Sequence, residues 1–230
     1  MRRSVVVLCA LAAALGGCAL GDGTTTKPTR TIEPQFTASS PSPEAPGKDS
    51  KGCTLLTSKE RRSIAGEELD VVAPSQDAKS TLKCRWVNSL STPAPTALSV
   101  ESTPTQRWVL GIPQQVDSTI ASGRSERKYA KPLQAAKKKV NERADEIGDK
   151  EACRMFSLLL EATGHKKGAS QIVYIQPAGA GGITSIVQLC TDGVVTLLMY
   201  DEKGLAPSVA LGEAVLRLAK AAHKRAIKIL

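Results

Sequence analysis

Aromatic side chains are scarce in this 230-residue chain, which has two Trp, three Tyr and two Phe. A buried core must therefore rest on Val, Ile, Leu and Ala. Histidine is scarcer still: His165 and His223 are the only two, and no C-x-x-C occurs, so a zinc site would be hard to assemble. The chain also has no G-x-S-x-G, no H-E-x-x-H and no phosphate loop, which removes the commonest hydrolase, metalloprotease and nucleotide-binding signatures. Its one sustained apolar run, Val5 to Leu15, is about 11 residues long and too short to span a bilayer.

What is present is concentrated at the N-terminus. Arg2 and Arg3 form a charged start, the apolar run follows, and Leu15-Gly16-Gly17-Cys18 closes it with small residues and a thiol. A charged region, a short apolar region and a small-residue cleavage site make an export signal. The four closing residues resemble the lipobox of bacterial lipoprotein signal peptides. In those, the cysteine after the cut takes a diacylglycerol and becomes the mature N-terminus. On that resemblance residues 1–17 are a signal peptide, Cys18 is the lipidation site, and the protein sits on the outer face of the cytoplasmic membrane. An ordinary secretory signal with Cys18 incidental is the alternative. The flanks of the Arg pair fit a twin-arginine signal poorly, which favours the general secretion route.

Of six cysteines, Cys9 leaves with the signal and Cys18 takes the lipid, so Cys53, Cys84, Cys153 and Cys190 remain. An even number in an exported chain reads as two disulfides, and four cysteines allow three connectivities. The local pairing Cys53–Cys84 and Cys153–Cys190 keeps each bridge within its own half of the chain. Loops of that size stabilise a fold by roughly 3.5–4 kcal/mol each through chain entropy.

Residues 18–51 hold Cys18 and then a run rich in Thr, Ser, Pro and Gly, which cannot bury enough apolar surface to order itself. It is expected to be a disordered tether of roughly 30 Å. Residues 52–230 lack a second linker of this kind and are expected to form one domain. Without Arg2 and Arg3, the 31 basic residues become 29 against 22 acids, a net charge of +7. A basic exported domain is drawn to anionic lipid or acidic wall polymer, with an envelope protein as a further partner, unless the charge is only a solubilising surface with no specific anion; nucleic acid is not a partner expected outside the cell.

Local patterns supply the elements. Thr57-Ser58-Lys59-Glu60 reads as a capping box opening a helix that stops at Gly66. Leu82–Asn88 and Ala97–Ser102 read as strands, with Cys84 and Trp86 on one face. Pro132–Ile147 carries Leu133, Ala136, Val140, Ala144 and Ile147 at helical spacing. Cys153–Ala162 reads as a strand, although its leucines also suit a helix, and Gln171–Gln176 reads as another. Thr184–Cys190 and Val194–Tyr200 flank Asp192-Gly193, a strong hairpin pair. Ser208 then caps a last helix whose stripe is Leu211, Val215, Leu218, Ala222, Ala226 and Ile229. Strands set apart from helices predict an α+β domain, a single antiparallel sheet with helices packed on one face.

Cys53-Thr54-Leu55-Leu56-Thr57, a short helix ending at Gly66, and Cys84-Arg85-Trp86 together resemble the "C-x-L-L-T … C-x-W" signature of a family of actinobacterial lipoproteins of unknown function. The resemblance implies a lipobox, a tether, a disulfide-bonded α+β domain and a recognition or scaffold role at the envelope. Ile147-Gly148-Asp149-Lys150-Glu151-Ala152 is similar to a turn that precedes a strand in such proteins. The chain departs from the pattern at Cys153, where an aromatic is usual, and in the length of its Lys-rich helix.

Candidates for chemistry are few. Ser80-Thr81-Leu82-Lys83 matches S-x-x-K, the nucleophile motif of penicillin-binding enzymes, but it precedes a strand and lacks the S-D-N and K-T-G partners. Pro177–Gly182 is a glycine-rich loop that suits either a flexible connection or an anion cradle. His165 reads as a solvated loop tip, and His223 as a surface residue among lysines. Arg124, Arg127, Lys128, Lys131, Lys137, Lys138, Lys139 and Arg143 form the densest basic region, either an anion-docking surface or the wet face of a helix. No cofactor is implied. The expected function is non-enzymatic binding of a ligand or partner at the cell envelope. The alternatives are a wall- or lipid-active enzyme using Ser80 and Lys83, or a structural spacer.

Overall fold

The computed structural model describes residues 50–73, 80–91, 95–123, 125–178 and 181–230. The expected signal segment, Cys18, nearly all of the expected tether, Arg124, and Gly179 and Ala180 of the glycine-rich stretch lie outside the described residues. A six-stranded sheet, wholly antiparallel, organises the domain in the order β1-β2-β3-β6-β5-β4. Its strands are β1 Val71–Val72, β2 Leu82–Val87, β3 Ala97–Pro104, β4 Gln171–Ala178, β5 Gly182–Thr191 and β6 Val194–Lys203. The β5–β6 turn has both Asp192 (φ 48°) and Gly193 (φ 76°) in the left-handed region, the turn that the Asp-Gly pair favours.

Side chains alternate across the sheet, so neighbouring residues serve opposite faces. On one face Trp86, Leu98, Val100, Val187, Leu189, Leu198 and Tyr200 meet α6 (Val209–Ala226) and α1 (Ser58–Ala65) in the main core. On the other, Cys190, Val195 and Ile172 meet Phe156 and Leu160 of α5 (Asp149–Ala162). Helices therefore cover both faces, where the pattern predicted one.

That second layer explains a misread element. The segment Cys153–Ala162 is helical, not extended, within α5. It looks like a strand because its leucines run together, and they do so because α5 buries two sides at once. Ala152, Met155, Leu159 and Ala162 face α3 (Ile112–Ala121), α4 (Arg127–Arg143) and the preceding turns, while Phe156 and Leu160 face the sheet. Asp149 and Glu151 in its first turn suit the positive helix N-terminus. The turn at Ile147–Ala152 thus leads into a helix, where the family resemblance implies a strand. Two further elements, α2 (Thr105–Trp108) and α3, fill a stretch without strong periodicity, and α4 starts five residues before Pro132. Pro132 consequently lies inside α4 on its exposed side, where water can replace the hydrogen bond it cannot donate.

Both disulfides form as the local pairing predicts, Cys53–Cys84 with Cα atoms 5.0 Å apart and Cys153–Cys190 at 5.5 Å. The first holds a short turn, Lys51–Thr54, onto β2 so tightly that a Cβ on Gly52 would lie 2.3 Å from the Lys83 carbonyl oxygen. The capping box is also realised. Thr57 Oγ1 accepts from the Glu60 N–H at 3.2 Å, and the Glu60 carboxylate accepts from the Thr57 N–H at 2.8 Å. The same carboxylate takes both arms of the Arg225 guanidinium at 2.8 and 2.9 Å, and Arg225 donates to the Leu55 carbonyl at 2.6 Å. Burial alone would raise the Glu60 pKa, but hydrogen bonds from Arg225 and Thr57 outweigh it and hold the carboxyl below its usual range. Ser208 caps α6 through the Leu211 N–H at 3.1 Å. Its expected stripe is buried except Ile229, which falls past the helix end.

Two outcomes test this packing. Replacing Gly52 by Ala is expected to lower unfolding stability by about 3 kcal/mol, the upper end for overpacking against backbone that cannot yield, read as a shifted urea midpoint. Converting Cys153 and Cys190 to Ala is expected to lower it by roughly 3.5–4 kcal/mol in the same measurement.

Candidate ligand-binding clefts

A cleft of about 970 Å³ lies where three element ends converge. The N-terminus of α5, the start of α2 and the β5–β6 turn are joined there. The Thr105 N–H donates to the Gly193 carbonyl at 2.9 Å, while Thr105 Oγ1 and Gln106 Nε2 both donate to Asp149 Oδ1 at 2.5 Å. Gly193 is required on two counts, its left-handed φ and the Asp149 carboxylate, 2.8 Å from where a Cβ would sit. Along the wall run Lys150, Glu151 and Arg154, the Cys153–Cys190 bridge and Asp192. Glu151 is engaged by Lys139 at 2.6 Å. Lys150, Arg154 and Asp192 have no ion pair among the described residues. Lys150 and Arg154 stand one turn apart on α5, so two cations share a wall of the cleft that Asp192 also lines.

Behind the same turn, but on the opposite face of β5, is the feature that sequence reasoning missed. Cys190 points to α5 and Thr191, its neighbour, to α6, where Thr191 Oγ1 lies 2.8 Å from His223 Nε2. The other ring nitrogen, Nδ1, lies 2.8 Å from Thr196 Oγ1, which in turn is 2.8 Å from Ser102 Oγ. His223 is therefore not a surface residue: it is 6% exposed, and burial lowers its pKa against a smaller opposing pull from Asp192. Its spacing held the signal, since residue 223 is four after Ala219 and eight after Val215 on the buried stripe. Adjacency to lysines concealed it. Although the hydroxyl–imidazole contact looks nucleophilic, the group orienting the ring is a threonine and not a carboxylate, and the ring faces the interior.

The basic region is largely compensated. Lys128 pairs with Glu126 (2.7 Å), Lys137 with Asp117 (2.6 Å), Lys138 with Glu142 (3.8 Å), Lys139 with Glu151 (2.6 Å) and Arg143 with Glu146 (3.5 Å). Arg127 and Lys131 are exposed on α4 without an ion pair among the described residues. Ser80 occupies an exposed turn at φ 64°, and Lys83 on β2 directs its ammonium to Glu101 at 3.3 Å. The S-x-x-K pair thus lacks the helical turn that would stack its side chains. His165 is half-buried with its ring edge-on to Tyr174 at 6.1 Å.

No family model, curated protein or solved structure matches this chain. Among the described residues no helix is long and apolar enough to cross a membrane, and no group of His, Cys, Asp and Glu gathers as a metal site.

His223 generates a pH prediction. Its folded pKa is below the unfolded value of 6.5, so the stability of the buried neutral ring is complete above that value. It is lost as pH falls below 6.5 toward the folded pKa, with a slope of at most about 1.4 kcal/mol per pH unit. Urea midpoints measured at pH 7.5 and 5 should show this loss in the native chain and not in His223→Gln. An equal loss in the variant would assign the slope elsewhere.

Proposed function

We propose that this protein is a lipid-anchored, extracytoplasmic binding protein whose domain takes up a small zwitterionic ligand in the cleft at the start of α5, without turning it over. The observation that carries the binding reading is the lining of that cleft, where Lys150 and Arg154 share a wall and Asp192 lines the same opening. A ligand bearing a carboxylate and an ammonium would satisfy both signs. Supporting the anchor are Leu15-Gly16-Gly17-Cys18, the polar run after it, the resemblance to actinobacterial lipoproteins, and two disulfides of the kind that an oxidising compartment maintains. The non-enzymatic reading rests on His223, which is 6% exposed and reaches the cleft's lining only through Thr191, and on Lys83, whose ammonium is turned to Glu101. Compensation along α4 favours the solvated-face reading of its lysines over docking to anionic lipid or wall polymer.

The anchor is tested by feeding cells an alkyne fatty acid. The native chain is expected to carry the label and to fractionate with membranes, and Cys18→Ala to lose both. Retention of label by the variant would overturn the assignment. For the cleft, native mass spectrometry of the full chain extracted from membranes should reveal a small bound ligand that Lys150→Glu combined with Arg154→Glu removes. Turnover of that ligand by the native protein, or its retention by the double variant, would sink the proposal.

A further inference from the structure

The other end of α5 carries a second, chemically different opening. A groove of about 380 Å³ runs between α3, the last turns of α5 and the outer face of β4 and β5. Leu159 and Leu160 line it with apolar surface, Gln114 and Gln115 on α3 and Gln188 on β5 contribute side-chain amides, and Tyr174 on β4 contributes an aromatic ring that is 40% exposed. His165 holds that ring edge-on.

From this lining we infer a binding site for a short neutral saccharide, distinct from the charged cleft and independent of it. Charge is the first argument. Nearly a quarter of the chain is charged (23%), yet no Asp, Glu, Lys or Arg lines the groove among the described residues. An ionic ligand entering it would lose hydration without gaining a partner. Hydrogen-bonding capacity is the second. Each glutamine amide offers two donors and an acceptor, a set that matches the alternating donor and acceptor roles of vicinal hydroxyls. Shape of polarity is the third: a pyranose or furanose presents C–H groups on one face and hydroxyls at its rim, and the groove's lining combines a tyrosine ring and two leucines with three amides. Its size falls near the lower end of ligand pockets, roughly 300 Å³ upward, which limits the site to a short segment of a glycan.

A peptide is the weaker occupant. Strand addition would use the free edge of β4, whereas the groove lies on the face of the sheet, where Tyr174 and Gln188 stand on residues already paired between β4 and β5.

The test uses the full chain, titrated calorimetrically with neutral oligosaccharides of arabinose, galactose, mannose and glucose. Uronic-acid oligosaccharides and a neutral peptide serve as comparisons. Saturable binding of a neutral sugar is expected, weakened about tenfold or more by Tyr174→Ala and by Gln115→Ala, and unchanged by Lys150→Glu with Arg154→Glu. Gln114→Glu, an exposed change on α3 that leaves the fold intact, should weaken uronate binding further and neutral binding less. Failure of every neutral sugar to bind at millimolar concentration, preference for the uronates or the peptide, or neutral binding that survives both Tyr174→Ala and Gln115→Ala would each overturn the site. Because the charged-cleft variant is a separate arm, loss of that reading leaves this one to be judged alone.

Discussion

Everything in the domain depends on the seam between β3 and β6. Eight residue pairs, from Ala97 with Asp201 to Pro104 with Val194, join the N-terminal strands β1–β3 to the C-terminal meander β4–β6 across a long intervening chain. Neither part closes a core alone. Joined, they place Leu98 and Val100 beside Leu198 and Tyr200 under α6, and they bring Ser102 to Thr196 and Thr196 to His223. A polar chain buried at such a seam is tolerated because its hydroxyl and ring nitrogen atoms are hydrogen-bonded. Contacts of this sequence separation impose a large loop-closure cost, which Cys153–Cys190 lowers by shortening the loop between Pro104 and Val194, whereas Cys53–Cys84 lies outside that loop.

What the sequence revealed was local. Thr57 and Glu60 sit three residues apart and cap α1 as their types require. Asp192-Gly193 makes a turn that almost any context would permit, and the stripe from Leu211 to Ala226 needs only a helix and a sheet to meet. The misread elements share a different property: their pattern is set by two neighbours at once. The side chains of α5 divide between the sheet and the α3–α4 layer, so Leu158-Leu159-Leu160 lacks the polar interruptions that mark a one-sided helix. His223 belongs to the buried stripe by spacing and to a basic surface by adjacency, and only the positions of Thr191 and Thr196, on another part of the chain, decide between them.

Charge shows the same limit. Counting cations along α4 finds the densest positive region, and Glu126, Glu142 and Glu146 beside them are visible in the same stretch, but two further partners, Asp117 and Glu151, come from α3 and α5. Exposed pairs of this sort contribute about 0–1 kcal/mol each and matter more as neutralisation than as stability. Lys150 and Arg154, two unremarkable residues in the linear pattern, are the cations left facing a cleft.

The helical layer from Thr105 to Ala162 enters between β3 and β4 and keeps its own apolar cluster, Val109, Ile112, Val116, Leu133, Val140 and Met155, separate from the core under α6. Such a unit can open without dissolving the sheet, as an independently cooperative foldon. Cys153–Cys190 ties only one of its helices covalently to the sheet. Amide protons of α3 and α4 would then exchange with solvent through a lower-energy opening than those of β3 and β6, and the walls of both proposed sites, which α5 shares, would be the boundary between a labile part and a persistent one.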